Sequence, residues 1–505
     1  MNQKAAADQG AMARLRVGPS ANLQASRRRQ VRQPLRFKRG PQRELRGDQH
    51  RHGHRRGTCR AHDTICGSKQ KMIMVQEVLA PGPPQRHDLD ANDESASLLF
   101  DLSQRYGDTF RLTSQSRSND SLVILNADDI RRVLQTNRGN YIKGVGIERV
   151  RVLLGNGLMA SEGELWSRQR RLVQPAFHSQ VIRGFSALMH QANADLIDRW
   201  SGHAARGEPV NLTHDLSELA LNIVLRALFG TDLDRLIDAK GSNPFDLLTS
   251  ETRRDLPFAA RFRALTHHVL AMIAARRQEQ RIEMDLLSTL MEVRDRDTGE
   301  AMPDRALLDE LMTLIVAGHE TTASALNWTW YLLSQNPQVE ARLHSAIAEP
   351  APASGLAEEP SATPPYVEQV LQEALRLYPP GWLFTRRALG DDVLGGFHVP
   401  AGTDVFICPY MLHRQTAHWD QPEAFDPLRF EPAAVDARHR FAYLPFSAGP
   451  RYCIGATFAM AEMTMHLAMV ADRFRLQYDG TVPPAAEFQV NLRSRHDLHM
   501  RLVAR

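Results

Sequence analysis

Phe446-Ser447-Ala448-Gly449-Pro450-Arg451-Tyr452-Cys453-Ile454-Gly455 sets five fixed positions within ten residues. Cys453 has an arginine two residues before it, glycines four before and two after, and an aromatic ring seven before. Glycine lets the main chain approach a flat partner closely and take angles that other residues resist. Arginine offers a permanent charge to a carboxylate, and a nearby cation favours thiolate over thiol. The phenyl ring of Phe446 can shield the sulfur, since burial and outer contacts tune a metal site. The arrangement suits a thiolate that reaches a metal through a tight turn. A buried cysteine in a glycine-rich turn is the plainer alternative.

Upstream, residues 304–336 form the longest helical candidate, opened by Pro303-Asp304 and closed by Asn336-Pro337. Its middle reads Ala317-Gly318-His319-Glu320-Thr321-Thr322. Gly318 costs a helix about 1 kcal/mol relative to alanine. The hydroxyls of Thr321 and Thr322 compete for backbone carbonyls and bend the helix. Such residues suit a small ligand lying against a locally opened helix, with protons supplied along Glu320 and Thr321. His319 reads as a solvated or locally bonded side chain. Further on, Val367, Val370, Leu371, Ala374, Leu375 and Tyr378 form an apolar stripe on a helix spanning Tyr366 to Tyr378. Glu373 and Arg376 can meet on it, which at a surface is worth only about a few tenths of a kcal/mol.

Together these segments resemble the cytochrome P-450 superfamily. Phe-x-x-Gly-x-Arg-x-Cys-x-Gly resembles its haem-ligand signature, and Ala317–Thr322 its oxygen-activation motif. Glu373-x-x-Arg376, with Arg429 in Phe425-Asp426-Pro427-Leu428-Arg429-Phe430, resembles the Glu-x-x-Arg helix and its Pro-x-Arg-Phe partner. Trp166-x-x-x-Arg170 resembles the haem-propionate clamp, and Arg386, preferred over Arg387, matches a second arginine of that site. The resemblance covers roughly residues 90–505. It implies a mainly α fold with a small β-rich subdomain, haem b with Cys453 as axial ligand, and Phe446, Gly449 and Gly455 as haem-binding residues of its loop. Trp166, Arg170, Arg386 and Arg451 would hold the propionates. Thr321 would steady dioxygen, Glu320 would help deliver protons, and Glu373, Arg376 and Arg429 would form a buried structural triad.

The implied activity is monooxygenation of a hydrophobic small molecule, with C–H hydroxylation of a fatty acid or terpenoid as the expectation. Leu311, Met312, Leu314, Ile315, Val316, Trp382, Leu383, Phe384 and the segment 141–158 are pocket candidates, although core packing explains each equally well. Only 50 residues follow Gly455, too few for a flavin or iron–sulfur module. An external ferredoxin or flavodoxin with an NAD(P)H-dependent reductase is therefore implied. Arg168 and Arg171 are expected to face solvent, where they could attract an acidic electron donor or simply form a solvated face. A haem-thiolate isomerase or peroxygenase, and a non-catalytic haem sensor, stay open as alternatives.

Composition limits the rest. The chain has 505 residues, 43% apolar and 24% charged, as in ordinary globular proteins. Four cysteines argue against a disulfide framework. With no run of 18 apolar residues, no membrane anchor is expected. Residues 1–71 hold 18 basic against 4 acidic residues, a net +14 that leaves −10 on the remainder. That tail reads as disordered. A nucleic-acid arm, a targeting leader, or a metal grip by His50, His52, His54, Cys59, His62 and Cys66 are the competing readings. We expect the functional protein to start at Met72 or Met74, with residues 72–505 as one haem domain. It is expected to be a cytoplasmic monomer that binds no nucleic acid.

Overall fold

The computed structural model describes residues 78–250, 256–349 and 363–505. The tail with its histidines and cysteines, and residues 350–362, lie outside the described residues. Residues 346–348 end a helix, Pro337–Ala348. The backbone divides into units Met1–Ile73 and Met74–Arg505, and only the second is described below.

Six helices position the site: α1 (Gly163–Val173), α2 (Ser186–Arg206), α3 (Leu212–Phe229), α4 (Asp304–Gln335), α5 (Pro365–Leu377) and α6 (Ala456–Arg473). α4 begins and ends where Pro303 and Asn336-Pro337 predict. It runs unbroken through residues 317–322, so the expected local opening is not seen. The hydroxyls do compete for carbonyls: Thr321 donates to Ala317 O (2.8 Å) and Thr322 to Gly318 O (3.1 Å). A Cβ at Gly318 would stand 2.8 Å from Val224 Cγ2, so α3 packs where only glycine leaves room. Trp330 of α4 donates to His466 Nε2 (3.0 Å), whose Nδ1 faces Asn193 Oδ1 at 2.7 Å. That line ties α4, α6 and α2 together. Complete burial pushes His466 down to about 3, so the bridge is neutral.

Five short strands make the main sheet: β1 (Thr109–Leu112), β2 (Ser121–Ile124), β3 (Tyr141–Lys143), β4 (Phe384–Ala388) and β5 (Asp404–Ile407). Their order is β1-β2-β5-β4-β3, with β2 and β5 parallel and the other pairs antiparallel. Alternation along β4 sends Arg386 and Arg387 to opposite faces. Arg387 pairs with Asp404 of β5 (2.7 Å). Arg386 stands opposite Lys143 of β3. A hairpin of β6 (Ala486–Phe488) and β7 (Leu492–Ser494) lies beside α4.

Candidate functional site

The Cys453 loop is shaped by its own backbone. Cys453 N–H donates to Phe446 C=O (3.0 Å), which closes the turn and brings the phenyl ring and sulfur to one cavity. Gly449 has φ +70°, and a Cβ there would run into the Leu134 carbonyl oxygen. Gly455 caps α6, whose N-terminal dipole points at the sulfur. Burial pushes the Cys453 thiol up, while the amides of Gly455 and Ala456 and the charge of Arg170 pull it back. Cys453 is accessible and lines the cavity. Gly449→Ala is expected to displace the loop and lower thermal stability by about 1–2 kcal/mol, read by calorimetry.

The cavity encloses about 320 Å³ between α4, α6 and the Cys453 loop. Thr321, Gly318 and Ala317 of α4 line it together with Phe446, Cys453 and Gly455 of the cysteine loop. Most of the remaining lining is apolar, including Val224, Leu228 and Phe384. Of the expected pocket residues only Leu314 and Phe384 line it. Leu311, Met312 and Ile315 are core, and Val316 packs against that core. Trp382 is buried with its indole N–H on Gln489 O (2.7 Å), and Leu383 packs beside it. Among the described residues of 141–158 none lines the cavity; Met159 does. These corrections share a cause, because apolar content marks a residue as inside without saying which side of a helix faces a void.

Glu373 and Arg376 are completely buried and joined twice, at 2.7 and 2.8 Å. Arg376 also donates to the carbonyls of His413 (2.8 Å), Pro422 (2.7 Å) and Ala424 (3.0 Å). Arg429 reaches Glu373 at 3.3 Å and the Asp426 amide donates to it at 2.9 Å. Burial pushes the Glu373 carboxyl up, and its two arginines oppose that shift. Sequence reasoning missed His413. Its Nδ1 faces Arg376 O (3.1 Å) and its Nε2 accepts from Leu444 N–H (2.8 Å), two residues before Phe446. A neutral ring thus links the triad to the cysteine loop.

A cluster of cations gathers beside the cavity. The Arg451 guanidinium lies 4.3 Å from the Trp166 ring centroid, pairs with Glu162, and keeps Nη1 buried with no partner. Arg386, Arg451 and Trp166 line one adjoining recess. Burial and the Arg451 charge pull Arg386 down to about 10. Lys143 was also missed. Burial, then Arg451, pulls it down to about 7, while its Nζ donates to Leu158 O (3.0 Å) and Ser161 O (2.9 Å). Arg170 stands apart, donating to Tyr452 O at 3.0 Å near Cys453. Arg168 is partly exposed and Arg171 exposed, and both are ion-paired: Asp295 and Glu300 pair with the first and Asp297 with the second.

The sequence model of the family Cytochrome P450 matches residues 85–499. The chain belongs to the cytochrome P450 family. It is similar to cyclooctatin synthase of Streptomyces melanosporofaciens, with 36% identity over 69% of this chain and 79% of that protein. Cyclooctat-9-en-7-ol 5-monooxygenase of the same organism is 33% identical over 69% and 78%. The fold matches the crystal structure of the cytochrome P450DA heme domain, with a TM-score of 0.73 and 24% identity over 85% of this chain and 98% of that one. As a cytochrome P450, the protein is a haem-dependent monooxygenase that uses O2, an organic substrate and redox partners. Among the described residues no helix is long and apolar enough to cross a membrane.

The residues present fit haem. Lys143 and Arg386 face each other across adjacent strands, an unfavourable like-charge pair. With Arg451 they gather three cations around the Glu162 carboxylate. A flat dianion with two propionates supplies the missing charge and a partner for the buried Nη1 of Arg451.

Proposed function

We propose that this cytochrome P450 hydroxylates an unactivated C–H bond of a terpenoid-like hydrophobic molecule, taking electrons from a separate ferredoxin or flavodoxin and its NAD(P)H-dependent reductase. The observation that carries the reading is one apolar cavity lined by both Thr321 and Cys453. Two relatives support the substrate class, one of them named as a monooxygenase of cyclooctat-9-en-7-ol. Haem held by Cys453 supplies the oxidising power, and a thiolate ligand favours O–O cleavage.

The protein's own groups do the rest. Lys143, Arg386 and Arg451 with Trp166 hold the propionate edge, and Arg170 adds positive charge beside the sulfur. Thr321 spends its proton on Ala317 O, so its oxygen lone pairs are open to accept from a donor in the cavity. Glu320 lies on the neighbouring face of α4 and reaches Asn491, a position from which it can pass protons towards Thr321. Apolar walls exclude stray water and orient the substrate by shape.

A panel of cyclic terpenoid alcohols and long-chain fatty acids, screened for spin-state shifts and then turned over under labelled O2, tests the proposal. One labelled oxygen atom is expected in a terpenoid product. Turnover of the fatty acids alone would overturn the substrate class, and products lacking the label would overturn the reaction. Thr321→Ala is expected to cut product formation about 10-fold or more while raising peroxide release.

A further inference from the structure

α4 carries a second organised face about 100° round from the cavity wall. Glu320, Ser324 and Asn327 fall on one line of the helix, and each hydrogen-bonds the β6–β7 hairpin. Asn491 Nδ2 donates to Glu320 Oε2 (3.1 Å), Ser324 to Leu492 O (2.6 Å), and Asn327 Nδ2 to Ser494 Oγ (2.9 Å). The hairpin is itself anchored: Leu492 N–H donates to Pro380 O (2.9 Å) and the Trp382 indole to Gln489 O. Asn491 precedes β7 between these anchors, so its amide is presented from a fixed backbone. The Ser324 and Asn327 contacts hold the hairpin against α4, and the Asn491 amide alone of the three contacts in this rail bears on the Glu320 carboxylate, one residue from Thr321.

We infer that Asn491 is a positioning residue for the reaction, acting through Glu320 to decide how much of the consumed reductant ends in product. This rests on the reading of Glu320 as the proton-relaying acid. Hydroxylation consumes O2, two electrons from NAD(P)H and two protons, placing one oxygen atom in product and the other in water. When protons arrive out of place, the same two electrons and two protons leave with O2 as hydrogen peroxide. A carboxylate that loses the Asn491 amide is held less narrowly and delivers its proton less selectively.

The test measures product and peroxide per NAD(P)H in Asn491→Ala, Asn491→Asp, Ser324→Ala, Asn327→Ala and Glu320→Gln. The assays use ferredoxin, its reductase and the panel compound that gives product. Asn491→Ala should keep the thiolate-type carbon monoxide band and the substrate-induced spin shift. Its product per NAD(P)H should fall about 2- to 10-fold, the span of one hydrogen bond, with peroxide rising to match. Asn491→Asp, which removes the donor and sets a second carboxylate against Glu320, should fall further. Ser324→Ala and Asn327→Ala break the same rail without touching Glu320 and should lose thermal stability but keep their coupling. Unchanged coupling in Asn491→Ala beside loss in Glu320→Gln would overturn the positioning role alone. Unchanged coupling in Glu320→Gln would overturn the acid reading and the inference with it. Equal uncoupling in all three rail variants would reduce Asn491 to a structural contact.

Discussion

Arg376→Ala should give no haem-loaded protein. The guanidinium holds Glu373 twice and three carbonyls, at His413, Pro422 and Ala424. Its removal strands a buried carboxylate and unties the segment that leads, through His413 and Leu444, into the cysteine loop. Breaking a buried pair from one side costs about 3–5 kcal/mol, a large share of the roughly 5–15 kcal/mol that holds a native protein together. Arg376→Lys should fail almost as badly, because an ammonium keeps the charge but cannot fork to five acceptors. Haem-to-protein absorbance ratio and calorimetry check both. A stable, haem-loaded Arg376→Ala protein would remove the triad from the account.

The second large effect concerns the cation cluster. Arg386→Leu should weaken haem retention about 10- to 100-fold, because a charge-assisted hydrogen bond is worth about 1.5–3 kcal/mol. Haem transfer to apomyoglobin measures this. Lys143 adds a pH signature. Without propionates, burial and Arg451 hold it near 7, so the unfolded chain binds that proton more tightly than the folded one. Stability of the haem-free chain should then rise with pH from about 7 towards the ordinary lysine range. Propionates raise Lys143 again, so haem binding should take up about one proton near pH 8 and almost none near pH 6. Isothermal titration in buffers of different ionisation heat reads the difference. Lys143→Met should abolish it; equal uptake at both pH values would contradict the charge-pairing role.

What the sequence revealed and what it hid follow one division. Local patterns were legible: Pro303 and Asn336-Pro337 mark both ends of α4, and the stripe from Val367 to Tyr378 marks α5. Motif spacing singled out Cys453, Thr321, Glu373, Arg376, Arg386 and Arg451, and folding brings them to the cavity, the triad and the cation cluster. Contacts between remote segments were not legible. Lys143 meets Arg386 only through strand register, and His413 meets Leu444 only through the folded meander. Arg168 looked free because the acids that neutralise it lie about 130 residues away. An isolated sequence gives charge but not the partner. For that reason Arg168→Ala should change ferredoxin-supported reduction less than about two-fold, since paired surface charges contribute little. A stopped-flow reduction rate decides it.

The Cys453 sulfur would ligate haem iron in the cavity that Thr321 also lines. Reducing the purified holoprotein under carbon monoxide tests it most directly. The account predicts a Soret band far to the red, the mark of a thiolate ligand, and its loss in Cys453→His with haem retained. An unshifted band in the native chain, or a shifted one that survives Cys453→His, would contradict it.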